Sequence, residues 1–109
     1  MTDKRIVFST AGSADEARKI ARQLVERRLA ACVNIVPHIE SVYRWQGEVE
    51  SAQEWLLLIK TNADRFPAVR EAIQELGSYD LPECVAVNIE DGSAEYLGWL
   101  GNSLQKPSS

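Results

Sequence analysis

A chain of 109 residues, 45% hydrophobic and 26% charged, fits one folded domain spanning 1–109; it excludes both two independent cores and a disordered polymer. Sixteen acidic against twelve basic side chains leave a formal charge of −4, which argues against a nucleic-acid partner, because phosphate neutralisation needs a basic excess. The longest run of large apolar residues, Trp55 to Ile59, is far below the roughly 20 needed to cross a bilayer, so no membrane partner is expected.

In chain order, Arg5 to Ser9 reads as a short strand, and Thr10-Ala11-Gly12 breaks it. Ile6-Val7-Phe8 is too brief for a signal-peptide core, so a cytoplasmic location is expected. Ser13 with Glu16 three residues on is a capping-box signature, placing a helix start near Ala14. Ala17, Ile20, Ala21, Leu24 and Val25 then recur at helical spacing as one buried stripe. Ala31 to Val36 is a second strand, and Ile39 to Trp45 continues it beyond Pro37. Trp45-Gln46-Gly47-Glu48 is a hairpin turn, so the arms run 31–45 and 48–60, with Pro37 at a bulge or bend. Alternation puts Tyr43 and Trp45 on one face of the first arm, and Glu54, Leu56, Leu58 and Lys60 on one face of the second.

A second helix is expected from about Asp64, with Pro67 in its first turn, a stripe of Phe66, Val69, Ile73 and Leu76, and Gly77 at its end. Tyr79 to Glu83 is a loop and Cys84 to Glu90 a fourth strand. Ser93 caps a last short helix with Leu97, Leu100 and Leu104 inward, and 105–109 is a polar, frayed tail. The halves echo each other, since Cys32-Val33-Asn34-Ile35 and Ala86-Val87-Asn88-Ile89 each follow a helix. This repeat predicts an α+β, ferredoxin-like βαββαβ sandwich with a long β-hairpin and an extra C-terminal helix. Both main helices would lie on one face. Ile6-Val7-Phe8 and Leu56-Leu57-Leu58 are apolar on both faces, so a monomer would leave a greasy sheet face open, and self-association is expected.

The run Ala30-Ala31-Cys32-Val33-Asn34-Ile35-Val36-Pro37, then Ser41-Val42-Tyr43-Arg44-Trp45-Gln46-Gly47, resembles the CutA family of divalent-cation tolerance proteins. The resemblance continues through Glu54, Lys60-Thr61, Tyr79-Asp80-Leu81-Pro82-Glu83 and Tyr96-Leu97-Gly98-Trp99-Leu100, covering residues 5 to 104. It implies a homotrimer related in architecture to the PII signalling proteins, and a part in tolerance of divalent metals, notably copper. It implies no defined reaction. Family members often carry His-Pro-Tyr where this chain has Gly77-Ser78-Tyr79, so the imidazole at that loop is missing.

Soft-metal ligands in one subunit reduce to Cys32, Cys84 and His38, without the close spacings of a built site, so no cofactor is required and Cu(II) or another divalent cation is the one candidate. A threefold axis would gather three copies of one such residue; the competing reading makes both cysteines small, reduced, buried hydrophobes. Tyr43, Trp45, Glu54, Lys60, Tyr79 and Glu83 read either as an intersubunit cleft for a small ligand or protein partner, or as interface anchors with a Lys60–carboxylate ion pair. A PII-like sensing or partner-binding module without a direct metal role is the alternative function. No phosphate loop, nucleophile elbow or metalloprotease helix is present, and an enzyme is not expected. The aromatic-bearing strands also lack the basic-Gly-aromatic run of RNA-recognition modules.

Overall fold

The computed structural model describes residues 2–106; of the polar tail expected over 105–109, residues 107–109 lie outside the described residues. Its elements are β1 (Lys4–Ala11), α1 (Ala14–Glu26), β2 (Cys32–Trp45), β3 (Glu48–Asn62), α2 (Phe66–Leu76), β4 (Val85–Asn88) and α3 (Ala94–Ser103). The sheet order is β2-β3-β1-β4, with every neighbouring pair antiparallel. Each strand-helix-strand unit therefore skips one strand, β1 to β2 across β3 and β3 to β4 across β1. This is the ferredoxin-like arrangement expected from the repeat.

β1 and β3 are the central pair, and their register assigns every side chain to a face: Val7 opposes Ile59 and Ser9 opposes Leu57 on one side, Phe8 opposes Leu58 and Ile6 opposes Lys60 on the other. The first face is covered by α1 and α2. Ala17, Ile20, Ala21 and Leu24 of α1 and Val69, Ala72 and Ile73 of α2 pack with Val7, Ala11, Leu57 and Ile59 into one core. Leu24, Val7, Leu57, Ile59 and Val69 have no exposed surface, and at about 1.5–3 kcal/mol per fully buried large side chain this cluster is the main stabilising term.

The helices begin and end for local reasons. The Ser13 hydroxyl accepts from the Glu16 amide at 3.1 Å, as the capping signature predicts. Glu16 completes no reciprocal box with Ser13; its carboxylate turns outward to the Gly12 and Ser78 amides instead. α2 starts at Phe66, two residues later than expected, because the 63–65 turn is held by the side-chain Oδ1 of Asn62 accepting from the Arg65 amide at 2.8 Å. β4 is shorter than the expected 84–90, its four residues pairing with Arg5 to Phe8 of β1.

Two backbone features shape the hairpin. Gln46 and Gly47 have φ of 50° and 81°, the pair of left-handed residues of a two-residue type I′ turn. At the other irregularity, Val36 pairs with Leu56 and Ile39 with Glu54, so Pro37 and His38 together oppose only Trp55. This is a β-bulge, with His38 at φ 58° and its ring 5.5 Å from that of Trp55. The extra residue resets the alternation. Ile39, Ser41, Tyr43 and Trp45 consequently fall on the same face as Glu54 and Leu56.

The second face is partly covered, where a wholly bare one was expected. α3 lies over its Lys60 end, with Leu100 and Leu104 buried together with Ala31. Two arginines hold the end of that helix: Arg28 donates to the Ser103 carbonyl at 3.1 Å and Arg65 to the Leu104 carbonyl at 2.7 Å. Cations at a helix C-terminus also meet its partial negative charge.

Two substitutions should shift stability in opposite directions. Gly47→Ala forces an L-residue into a left-handed position and is expected to cost about 1 kcal/mol. Ser9→Ala removes a fully buried hydroxyl that has no hydrogen-bond partner among the described residues, and is expected to raise stability by about 1 kcal/mol. Urea unfolding midpoints of the two variants against the parent check both signs.

Candidate functional site

The densest polar constellation lies where the α2–β4 loop meets the ends of α1 and β1. α2 closes with the Gly77 amide donating to the Ile73 carbonyl at 3.0 Å. A Cβ at residue 77 would stand 2.9 Å from that same carbonyl oxygen, so close approach rather than unusual backbone demands glycine here. Beyond it the Glu16 carboxylate accepts from the Ser78 amide at 2.6 Å, from the Ser78 hydroxyl at 3.0 Å and from the Gly12 amide at 3.4 Å. The loop is thereby pinned to the start of α1.

With Ser78 fixed, Tyr79 reaches past Gly12, its hydroxyl 3.1 Å from where a Cβ of residue 12 would stand. That hydroxyl donates to Oε2 of Glu54 at 2.7 Å. Burial first, then the hydrogen bond and negative charge of Glu54, then Glu16 and Tyr43, push the Tyr79 phenol well above its ordinary value. Tyr43 acts on this phenol because the bulge has placed it on the Glu54 face. The corner thus joins the Tyr79 phenol to two carboxylates, Glu54 directly and Glu16 through the Ser78 loop. Among the described residues Oε1 of Glu54 has no hydrogen-bond partner, so it is free to accept from, or bind, a cationic or hydrogen-bonding group.

The other cleft residues are spread out. Lys60 shares a face with Glu54 but stands six residues along β3, about 20 Å away at strand spacing. Its ammonium lies over the Tyr96 ring of α3, 5.8 Å from the centroid, where an ion pair was one expectation. Trp45 is at the hairpin tip, opposite Glu48, and remains 47% exposed. Glu83 is exposed in the loop before β4 and makes no bond to Tyr79.

The three metal candidates are also apart. Cys32 begins β2, on the Lys60 end of the second face, its thiol 3.8 Å from Oδ1 of Asn34. Cys84 precedes β4 at the opposite edge of the sheet, packed against the helix-side core. Burial raises the Cys84 thiol pKa, with Arg70 opposing and Glu83 reinforcing the shift, so it is held as the neutral form that binds metal poorly. His38 sits at the bulge on Trp55. Among the described residues no three histidine, cysteine or acidic side chains are gathered as for a metal ion.

Glu16, Gly12, Ser78 and Tyr96 belong to these contacts without having been singled out as site residues. Glu16 carried a capping signature that explained it fully in local terms, and nothing in the sequence pointed to its partner 62 residues away. The signal for Gly12 was its place just after a strand, which reads equally well as a chain break.

Residues 5–103 match the family described as CutA1 divalent ion tolerance protein. The chain is 53% identical over 97 residues to the divalent-cation tolerance protein CutA of Thermus thermophilus, covering 89% of this chain and 94% of that one. The crystal structure of CutA from Xylella fastidiosa superposes with a TM-score of 0.93 at 43% identity, covering 95% of this chain and 100% of that chain. The Archaeoglobus fulgidus protein described as a periplasmic divalent cation tolerance protein superposes at 0.91 with 38% identity, covering 94% and 99%. No helix among the described residues is long and apolar enough to cross a membrane.

The Tyr79–Glu54 bond has two measurable consequences. Tyr79→Phe should lower stability by about 1 kcal/mol at neutral pH, through the lost hydrogen bond. Because the folded phenol holds its proton more tightly than an unfolded one, its contribution is complete below the ordinary tyrosine value of about 10 and lost as pH rises above it. The parent should therefore lose more stability than Tyr79→Phe through that alkaline range. Glu54→Gln should lower the Tyr79 titration midpoint only part of the way, since burial remains; absorbance-monitored titration reads it.

Proposed function

The chain belongs to the CutA1 family of divalent ion tolerance proteins, and from that premise we propose that it acts, as one domain, in the response to divalent metal ions as a trimer of identical subunits. The observation that carries the assembly is the second sheet face. Ile6, Phe8, Leu56 and Leu58 line it with no helix above most of them, and Val36, Val85 and Val87 beside them are 37%, 54% and 41% exposed. A row of apolar side chains across four strands is a surface that a second copy covers, and apolar sheet faces of this kind belong to assemblies more than to monomers. The hairpin arm beyond the bulge supports the same reading, because its outer residues are exposed and β2 has an unpaired edge.

In this proposal metal binding is weak, favours Cu(II) among divalent cations, and uses copies of one ligand brought together by assembly, Cys32 being the cysteine on the apolar face. No reaction is assigned: the one histidine packs against the Trp55 ring at a tilt of 52°, and no nucleophile–base pair is formed with it among the described residues. The proposed compartment is the cytoplasm, in keeping with two unpaired thiols. A second reading, a PII-like sensing module, is favoured by the Tyr79–Glu54 corner, where one carboxylate oxygen has no hydrogen-bond partner among the described residues.

Light scattering after size exclusion, with and without Cu(II), is the test. A mass three times that of the chain in both samples is expected, and a monomer without copper would overturn the assembly. Leu58→Glu, checked for retained secondary structure by circular dichroism, should dissociate the trimer by burying an unpaired charge. Cu(II) binding lost in Cys32→Ser supports the metal reading; stabilisation by a metabolite that persists in chelator supports the sensing one.

A further inference from the structure

The link between β4 and α3 carries the single place in the sequence where an aspartate or asparagine precedes a glycine, Asp91-Gly92. Both residues are exposed and lie outside helix and strand. The Asp91 carboxylate is folded back on its own chain, with Oδ1 accepting from the Gly92 amide at 2.9 Å. That amide has no backbone acceptor among the described residues, whereas the neighbouring Ile89 amide is tied to the Lys4 carbonyl at 3.1 Å. The fold does not itself require glycine at 92. Its φ is not left-handed, and an added Cβ would meet Leu97 carbons at 3.4 Å, an ordinary contact. What glycine supplies is an unshielded amide beside a carboxyl group.

We propose that Asp91-Gly92 is a site of spontaneous isoaspartate formation in the folded protein, and that the change loosens α3. The Gly92 nitrogen adds to the side-chain carboxyl carbon of Asp91 in its neutral acid form. A C–N bond forms, the C–OH bond breaks, and the hydroxyl leaves as water with the amide proton. Water then opens the five-membered imide. When it adds at the main-chain carbonyl, the original Asp91–Gly92 bond breaks and the chain runs on through the Asp91 side chain. The mass is unchanged, and the backbone gains one carbon. That carbon enters between Asp91 and Gly92, one residue before Ser93, whose hydroxyl accepts from the Tyr96 amide at 3.3 Å to cap α3. α3 is fixed further along by Leu100, Leu104, Arg28 and Arg65, so a longer entry must strain either the cap or that seat.

The purified full chain, incubated at neutral pH under conditions where circular dichroism shows it folded, is probed with L-isoaspartyl methyltransferase and a labelled methyl donor, and the labelled peptide is mapped. Label should accumulate at residue 91, and hydrogen exchange in the isoaspartyl fraction should be faster across 94–103 than in unmodified protein. Gly92→Ala shields the nitrogen, and Asp91→Glu cannot close a five-membered ring; both should lose the label. Two variants guard against one failing to fold. Absence of label from the folded parent, or equal label in a folded variant, would overturn the site. Unchanged exchange in α3 would overturn its loosening.

Discussion

Everything in the molecule depends on the antiparallel pairing of β1 with β3, two central strands that are apolar on both faces. Val7, Leu57 and Ile59 on one side and Ile6, Phe8, Leu56 and Leu58 on the other cannot all be covered by two helices. α1 and α2 take the first side, because each crossover must return over the same face to keep its hand. The cost of that choice falls on the second side, where α3 reaches only the Lys60 end. The proposed assembly follows from this imbalance of surface, not from any single residue.

The bulge at Pro37 and His38 is the second determinant. Proline cannot donate to the ladder, and His38 accepts a left-handed backbone conformation that few side chains tolerate. Two residues facing one on the partner strand shift the outer arm by half a pleat. Tyr43 and Trp45 thus join the face of Glu54 and Leu56, away from the helix-covered side. A hairpin of the same composition without the bulge would send them to the opposite face.

Glu16 links these levels. Its amide is capped by Ser13, which starts α1, while its carboxylate is spent on Ser78 and Gly12, which positions Tyr79 and so the oxygen shared with Glu54. One residue serves helix initiation and loop placement together, and the corner at the end of β1 exists because of it. Lys60, Cys32 and Tyr96 form a separate group at the other end of the same face, some 20 Å along the strand.

What the sequence determined by itself was local and periodic. The 3.6-residue stripes gave α1 and α2, the Gln46-Gly47 pair gave the turn, and the repeated strand-helix-strand order allowed one main topology. Element ends were less legible, as at β4, where only Val85 to Asn88 of the apolar run pair with β1. The site was legible only as a set of residue types, since alternation showed that Glu54 and Lys60 share a face but said little of their isolation from each other. Tertiary structure alone decided that Tyr79 bonds Glu54, that Lys60 meets an aromatic ring and that Cys32 and Cys84 lie at opposite sheet edges. The physical reason is that such contacts join residues tens of positions apart, through strand order and register, whereas sequence patterns report only the periodicity of one element at a time.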